Sequence, residues 1–346
     1  MTNADRDPVG DPALSHAVLI GTAVYRHPSY RGRNLPGVSA NVAKLGLTLL
    51  QDVPWGLEPA RCTAVMNPAS ADEILTTIES AGAQCRATLF VYYAGHGFCS
   101  STSPDELYLT HSGSAEDRQA TALEYRHLRD ALIHCGAPNK ILVLDCCYAG
   151  NATRAMGSLN GHLAIEGTFV LAATGPNRAA RADSATGLTA FTNELVGVLG
   201  KDGVPDAGPF VSIEEIAART HERLEANNLP LPTRQAHGYA GRRPIFKNYA
   251  HPTIIAGMLD SLTEPEPEPA ARSPQVSLPH LFWGLLWSLV VGVACAAIVR
   301  SGHSEVWALR AGVATGVLAC VAFFTTGAWM ALPRTRPVTA GRRSTP

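Results

Sequence analysis

LFVYYAGHG (Leu89–Gly97) and ILVLDCCYAG (Ile141–Gly150) are two short apolar runs that each end in a turn of small residues. The first turn carries His96, and the second carries Cys146 and Cys147. Apolar runs of this length, bounded by glycine, are typical of buried strands in a parallel sheet. Because the carboxyl ends of neighbouring parallel strands lie at the same edge of a sheet, the two runs predict that an imidazole and a thiol meet there.

Around these runs, residues 14–250 alternate strand-like segments with amphipathic segments of helical length, which is the pattern of an α/β fold with a mostly parallel sheet. The predicted strands are His16–Ala23, Arg61–Met66, Ala87–Tyr93, Lys140–Leu144, Thr168–Ala173 and Arg243–Lys247. The predicted helices are Val38–Leu50, Ala71–Ala83, Ala122–Cys135, Thr189–Leu199 and Ile213–Asn227. Capping-box spacings, Ser70 with Glu73, Thr121 with Glu124 and Ser212 with Glu215, mark three helix starts.

Composition excludes several classes of protein. The 346 residues are 46% hydrophobic, which is enough for a large core, and 28 Lys and Arg balance 29 Asp and Glu. This balance gives no electrostatic reason to expect nucleic acid as a partner. Eight cysteines without a C-x-x-C pair do not form a disulfide scaffold. Residues 1–13 are predicted to be a flexible N-terminus; they contain acids and lack the apolar region of a secretory signal, so export is not expected.

The C-terminal third has a different character. Residues 251–280 are predicted to be a Pro- and Glu-rich linker, because their sequence includes TEPEPEPAARSPQ. Residues 281–299 and 311–332 are apolar, uncharged and long enough to cross a bilayer, which predicts a transmembrane helical hairpin. Two buried helices of a bundle are the alternative. The basic tail, 333–346, favours a multi-pass protein of the cell membrane whose catalytic domain and tail are cytoplasmic.

A thiol and an imidazole at one sheet edge suggest nucleophilic catalysis. A nearby imidazole can accept the proton of a thiol and later deliver a proton to a leaving amine. The N–H groups of Gly97 and Cys147 are candidates for stabilising an oxyanion. The alternatives are a structural histidine and an inert core thiol, but the histidine lies 51 residues before Cys147 (147 − 96), close to the interval found in caspases.

The sequence resembles the caspase-like peptidases, on the metacaspase side of the clan. The motifs are AVLIGTAVY, FVYYAGHG, ILVLDCCYAG and, further on, GTFVLAATGPN with GLTAFTNELVGVL. The combination is most similar to the bacterial effector-associated caspases of actinobacterial conflict systems. The resemblance implies a caspase-like three-layer sandwich with a mostly parallel central sheet of about six strands. It also implies a large-subunit-like part (14–150), a loop (151–167) and a small-subunit-like part (168–250).

The same resemblance implies roles for individual residues. His96 matches the catalytic histidine, Cys147 the nucleophile, and Gly97 the glycine of the oxyanion hole. Cys147 is preferred to Cys146, which strand alternation directs towards the core. Asp145 matches an acid in the pocket for the residue before the cut, which would bind Arg or Lys.

Further assignments rest on single residues in loops. Asp183 is a candidate second pocket acid, with simple solvent exposure as its alternative, and Asp145 has the alternative of capping nearby backbone N–H groups. Arg154 is the candidate for self-cleavage. The loop GPNRAARAD lacks the run of acids found in calcium-responsive relatives, so neither calcium nor any other metal or cofactor is expected.

These observations predict a membrane-anchored caspase- or metacaspase-like cysteine endopeptidase with a Cys–His dyad. It would cleave protein or peptide substrates after Arg or Lys, in a bacterial defence or regulated cell death pathway, with a second copy or an effector-system component as a further partner. The alternative is a catalytically silent caspase-fold signalling or scaffold module at the membrane. A metal-dependent hydrolase is excluded because the required ligand spacing is missing.

Overall fold

The computed structural model of the chain describes residues 10–100, 103–149, 167–173 and 187–263, all within one compact unit, Met1–Pro265. The strands are β1 (His16–Gly21), β2 (Cys62–Met66), β3 (Thr88–Ala94), β4 (Gly97–Ser100), β5 (Ser103–Leu109), β6 (Leu123–Glu124), β7 (Asn139–Asp145), β8 (Thr168–Ala172), β9 (Phe210–Ser212), β10 (Thr233–Ala236) and β11 (Pro244–Lys247). The helices are α1 (Pro36–Leu50), α2 (Ala71–Gln84), α3 (Tyr125–His134), α4 (Ala190–Leu199), α5 (Ile213–Ala226) and α6 (Pro252–Thr263).

The central sheet has six strands in the order β10-β8-β7-β3-β1-β2. Five of them are parallel, and β10 pairs with β8 in the antiparallel direction. The predicted α/β fold with a mostly parallel sheet of about six strands is therefore confirmed. The strands β3 and β7 are direct neighbours, and this pairing brings the ends of the two decisive apolar runs together.

Helices cover both faces of the sheet, which gives three layers. On one face, alternate strand residues such as Leu19, Phe90 and Ile141 pack in a core with α1, α4 and α5. On the other face, residues such as Val18 and Val91 pack against α2 and α3. Side chains of the inner strands are buried on both faces, which explains why the sequence of these strands is continuously apolar. The resulting rigid sheet is a stable base for the loops at its edges.

The sixth strand of the central sheet is not the predicted one. The predicted strand Arg243–Lys247 corresponds to β11, but β11 pairs with β9 in a separate two-stranded sheet. The edge position belongs to β10, whose sequence TRQA is polar and alternates between half-buried and exposed residues. Such a short polar edge strand has no apolar pattern that would distinguish it from a loop. The small antiparallel sheet of β4, β5 and β6 was also not predicted.

Two of the three predicted helix starts agree with the structure. Ser70 accepts a hydrogen bond from the backbone N–H of Glu73 at the start of α2, and Ser212 forms a full capping box with Glu215 at the start of α5. The start predicted at Thr121 is wrong. Residues 119–121 form a 3₁₀ turn, residues 123–124 form β6, and α3 begins only at Tyr125. Strand pairing with β5 has overridden the local capping pattern.

Two boundaries also differ from the predicted ones. Residues 252–263 of the predicted linker form α6, because PTIIAGMLDSLT has apolar residues at helical spacing and proline only at its first position. At the other end, Gly10 of the predicted flexible N-terminus is buried and accepts a hydrogen bond of 3.0 Å from the indole N–H of Trp55.

The predicted transmembrane segments, 281–299 and 311–332, and the basic tail, 333–346, lie outside the described residues. Within the described part of the chain, none of the helices combines the length and the apolar character needed to cross a bilayer.

Candidate active site

The carboxyl ends of β3 and β7 form one rim of the central sheet. Ala94 at the end of β3 pairs with Asp145 at the end of β7. One residue later, the backbone N–H of Gly95 donates a hydrogen bond of 3.4 Å to the carbonyl oxygen of Asp145. His96 and Cys147 each lie two residues beyond the paired Ala94 and Asp145, so the turns that carry the imidazole and the thiol leave the sheet side by side.

Gly97 is in close contact with the cysteine turn. A Cβ atom added to Gly97 would lie 2.5 Å from the carbonyl oxygen of Cys147 and 3.0 Å from Sγ of Cys146. A distance of 2.5 Å to a backbone oxygen is far inside van der Waals contact, and backbone cannot move away as a flexible side chain can. This position therefore requires glycine, and the histidine turn and the cysteine turn are packed directly on each other.

The backbone of His96 is fixed by three surrounding hydroxyl groups. Its N–H donates to the hydroxyl oxygen of Tyr25 at 2.8 Å. Its carbonyl oxygen accepts from the hydroxyl groups of Thr110, at 2.8 Å, and Tyr93, at 2.9 Å. Tyr25 and Thr110 are themselves hydrogen-bonded at 2.9 Å. The network leaves the residue little freedom of position.

The imidazole ring of His96 has a defined orientation. Its Nε2 lies 2.8 Å from the carbonyl oxygen of Arg33, which can only accept, so Nε2 carries the hydrogen and donates. In the neutral ring, Nδ1 is then the unprotonated nitrogen and is the atom able to take up a proton.

The pKa of His96 is lowered from its ordinary value. The ring is partly buried, and the resulting loss of hydration is the largest cause of the lowered pKa. The nearby Arg33 guanidinium acts in the same direction. The hydrogen bond to the Arg33 carbonyl partly offsets both effects. The neutral ring, which is the form that accepts a proton, is therefore favoured near neutral pH.

The two neighbouring cysteines have different environments. Cys146 is buried in the core below α2 and α3, and burial raises the pKa of its thiol well above the usual range. Cys147 is half-buried at the rim. The next residue, Tyr148, has a positive φ of 59° and is exposed, so the chain turns sharply just after Cys147. Of the two thiols, that of Cys147 is the accessible one, and burial keeps that of Cys146 in the unreactive thiol form.

Asp145 is buried beneath the cysteine turn. Its Oδ2 accepts hydrogen bonds from Thr192 Oγ1 at 2.7 Å, Asn41 Nδ2 at 3.1 Å and Tyr92 OH at 3.2 Å, and a further one from Thr189 Oγ1. From sequence, this carboxylate had the alternative of capping nearby backbone N–H groups. In the structure, all four donors to Oδ2 are side chains instead. Burial raises the pKa of Asp145, while the hydroxyl donors oppose the increase.

The second carboxylate oxygen of Asp145 is in a different situation. Oδ1 is also buried, yet among residues 10–100, 103–149, 167–173 and 187–263 no group donates to it. A buried carboxylate oxygen without a donor is costly, because it has lost its hydration without compensation. Among these residues, Oδ1 is therefore an acceptor whose hydrogen-bonding capacity is unused.

The other predicted site residues, Asp183 and Arg154, lie outside the described residues. The structure adds several residues that were not predicted: Tyr25, Tyr30 and Arg33 around His96, and Asn41, Thr189 and Thr192 around Asp145. A signal for Asn41 was present, since it is a polar residue on the buried face of α1 between Val38 and Leu45. Thr189 also carried a sequence signal, because a threonine directly before a helix is a typical N-cap.

Within the described part of the chain, no three His, Cys, Asp or Glu side chains are grouped so that they could hold a metal ion. The chemical groups assembled at the rim are thus a thiol, an imidazole with an unprotonated Nδ1, and a buried carboxylate.

Comparisons with known proteins place this arrangement in context. A family model described as the caspase domain matches residues 14–251. Among solved structures, the chain is similar to caspase-1 from Spodoptera frugiperda, with 13% sequence identity, a TM-score of 0.46, and coverage of 64% of this chain and 86% of that one. The search of curated proteins gave no match.

Proposed function

The chain belongs to the caspase-domain family of cysteine peptidases, and we propose that it is an endopeptidase in which His96 and Cys147 form the catalytic dyad. The observation that carries the proposal is the contact between the two turns: Gly97, next to the histidine, packs on the carbonyl group of Cys147. Neighbouring strands, a half-buried thiol and an imidazole with Nδ1 unprotonated support the same assignment.

In this mechanism, Nδ1 of His96 accepts the proton of Cys147, and the thiolate attacks the carbonyl carbon of the scissile peptide bond. The backbone N–H groups of Gly97 and Cys147 stabilise the oxyanion that develops. As the C–N bond breaks, His96 delivers its proton to the leaving amine, and a thioester remains on Cys147. Water then attacks the thioester, which releases the acid product and regenerates the thiol.

The test compares peptide cleavage by the full chain and three variants. Cys147→Ala should abolish cleavage, and His96→Ala should lose nearly as much, because members of one catalytic unit do not contribute additively. Cys62→Ala is the matched control, since Cys62 is a half-buried thiol on β2, away from the rim. Unchanged cleavage by Cys147→Ala would remove the assignment. A folded wild-type protein that neither cleaves peptides nor reacts with an acyloxymethyl ketone at Cys147 would favour the silent scaffold instead.

We further propose that Asp145 makes the enzyme prefer Arg or Lys before the cut. The support is the donor pattern of its carboxylate, in which Oδ2 has four side-chain donors and the buried Oδ1 has none among the described residues. A guanidinium or ammonium group would supply the missing donor and the compensating charge. A peptide library with every residue in the position before the cut tests this, and a preference for Asp or for apolar residues would contradict it.

The location of the enzyme is also a proposal. The apolar segments 281–299 and 311–332 and the basic tail support a cell-membrane anchor with the peptidase domain in the cytoplasm. Such an anchor would concentrate the enzyme near membrane-proximal substrates, or near further copies and effector-system components in a defence pathway. Fractionation with and without detergent, on the full chain beside a chain ending at residue 265, tests the anchor. Recovery of the full chain in the soluble fraction without detergent would rule it out.

A further inference from the structure

Two tyrosine rings, of Tyr25 and Tyr30, are grouped around the imidazole of His96. The ring of Tyr30 stacks on the imidazole of His96, with centroids 5.2 Å apart and planes 21° from parallel. The ring of Tyr25 lies 5.0 Å from the imidazole at a tilt of 45°, and the two tyrosine rings stack on each other at 4.5 Å. Both tyrosines are buried, so the imidazole is held by two rings that cannot easily move aside.

The two tyrosines hold His96 in different ways. Tyr25 uses its hydroxyl group, which accepts from the backbone N–H of His96 and is bonded to Thr110. Tyr30 contacts the imidazole with the face of its ring. A face-to-face contact fixes the plane of the imidazole, and the plane decides whether Nε2 can reach the carbonyl oxygen of Arg33.

Tyr30 is in turn held from its surroundings. The guanidinium of Arg33 lies over the Tyr30 ring, 5.5 Å from its centroid, and forms an ion pair with Glu116. The backbone N–H of Glu116 donates to the hydroxyl oxygen of Ser29, the residue before Tyr30, at 2.9 Å. The segment from Ser29 to Arg33 is thus fastened at both ends, and it supplies both the ring that stacks on His96 and the carbonyl that accepts from it.

We propose that Tyr30 is a positioning residue for the catalytic step: its ring holds the imidazole of His96 with Nε2 on the Arg33 carbonyl, so that Nδ1 faces the reaction. The inference rests on the proposed peptidase function. Misplacing a proton-transfer group by a fraction of an ångström slows proton transfer but does not change how the peptide binds. The expected signature is a loss in kcat with an unchanged KM.

The experiment compares Tyr30→Phe and Tyr30→Leu in the full chain, with wild type and Cys147→Ala in the same peptide assay. Phe keeps the ring face, so kcat should match that of wild type. Leu is apolar but smaller than Tyr and has no planar face, so kcat should fall about tenfold with KM unchanged. A tenfold loss corresponds to the upper end of the free energy that an aromatic pair contributes. The unfolding temperature of each variant is measured to confirm that the protein assayed is folded.

The outcomes separate the two proposals. If wild type shows no cleavage that depends on Cys147, the proposed function fails. If wild type cleaves but folded Tyr30→Leu keeps the wild-type kcat, or if Tyr30→Phe loses as much as Tyr30→Leu, the positioning role is overturned. Should Tyr30→Leu not fold, Glu116→Gln releases the outer end of the segment at a partly exposed site. It should lower kcat about twofold without changing KM, and a wild-type kcat in that variant overturns the role.

Discussion

The carbonyl oxygen of Cys147 lies so close to Gly97 that a single added methyl group would come within 2.5 Å of it. This contact joins the two turns of the site through backbone atoms on one side and a missing side chain on the other. Backbone packing therefore sets the position of the imidazole relative to the thiol. Even the smallest substitution at Gly97, to alanine, should disturb that position.

Gly97→Ala should therefore abolish cleavage while leaving a folded protein. The methyl group pushes the cysteine turn away, which separates the imidazole from the thiol, and the strain should cost about 1–3 kcal/mol of stability. Gly136→Ala is the matched control, because a Cβ at Gly136 meets no atom within 4 Å. Peptide cleavage and thermal unfolding of both variants check the prediction, and Gly97→Ala with normal turnover would contradict it.

Asp145→Asn should reduce cleavage after Arg or Lys about a hundredfold, with a much smaller effect on peptides that carry a neutral residue there. The amide has a similar shape but no charge to pair with a cationic side chain. Asp130→Asn, at an exposed carboxylate of α3, is the control for a general charge effect. The ratio of kcat/KM for the two peptide classes is the measurement. A ratio that is the same in wild type and Asp145→Asn would remove the pocket role.

Thr189→Ala should destabilise the fold more than Ser70→Ala. Both residues are N-caps whose side-chain oxygen accepts from the third helical residue, and loss of such a cap costs about 1 kcal/mol. Thr189 also donates to the buried carboxylate of Asp145, and removing a donor from a buried charge adds about 1–3 kcal/mol. Denaturant unfolding of the two variants tests this, and equal losses would mean that the hydroxyl–carboxylate contact contributes nothing.

Stability should depend on pH through His96. Because burial holds the pKa of His96 below its unfolded value of 6.5, the unfolded chain binds a proton more readily than the folded chain. Stability from this residue is therefore complete above pH 6.5 and decreases as the pH falls from 6.5 towards the folded-state pKa. Unfolding free energies of wild type and His96→Gln over this range provide the test. The difference in unfolding free energy between wild type and His96→Gln should shrink as the pH falls, because only wild type loses the contribution of the neutral histidine. A difference that stays constant with pH would contradict a lowered pKa of His96.

The sequence allowed the central sheet to be predicted because its strands are buried on both faces. β3 and β7 are short, continuous apolar runs that end in turns of small residues, which is typical of strands buried on both faces. β10 and β6 were missed because they are short and polar, and they owe their form to pairing with neighbours rather than to their own composition.

For the site, the sequence indicated which residues lie at the rim but not what holds them. His96 and the cysteines come just after the ends of predicted parallel strands, so the sequence alone places them at the carboxyl edge of the sheet. The contacts of Asp145 with Asn41 and Thr189 join segments far apart in sequence, and no local pattern predicts which helix faces which strand end. The ring of Tyr30 lies in a loop between elements, where side-chain positions depend on the complete tertiary structure.

The wide sequence separation of these contacts has a consequence for biosynthesis. Asn41 and Thr189, whose side chains meet beneath the rim, are 148 positions apart, and the nucleophile lies between them. A nascent chain that has left the ribosome only as far as Cys147 already carries both reacting groups, yet it lacks β8 and α4, which complete their support. Peptidase activity should therefore appear late in synthesis, once the last strands of the sheet have folded, and an unfinished polypeptide has no complete active site.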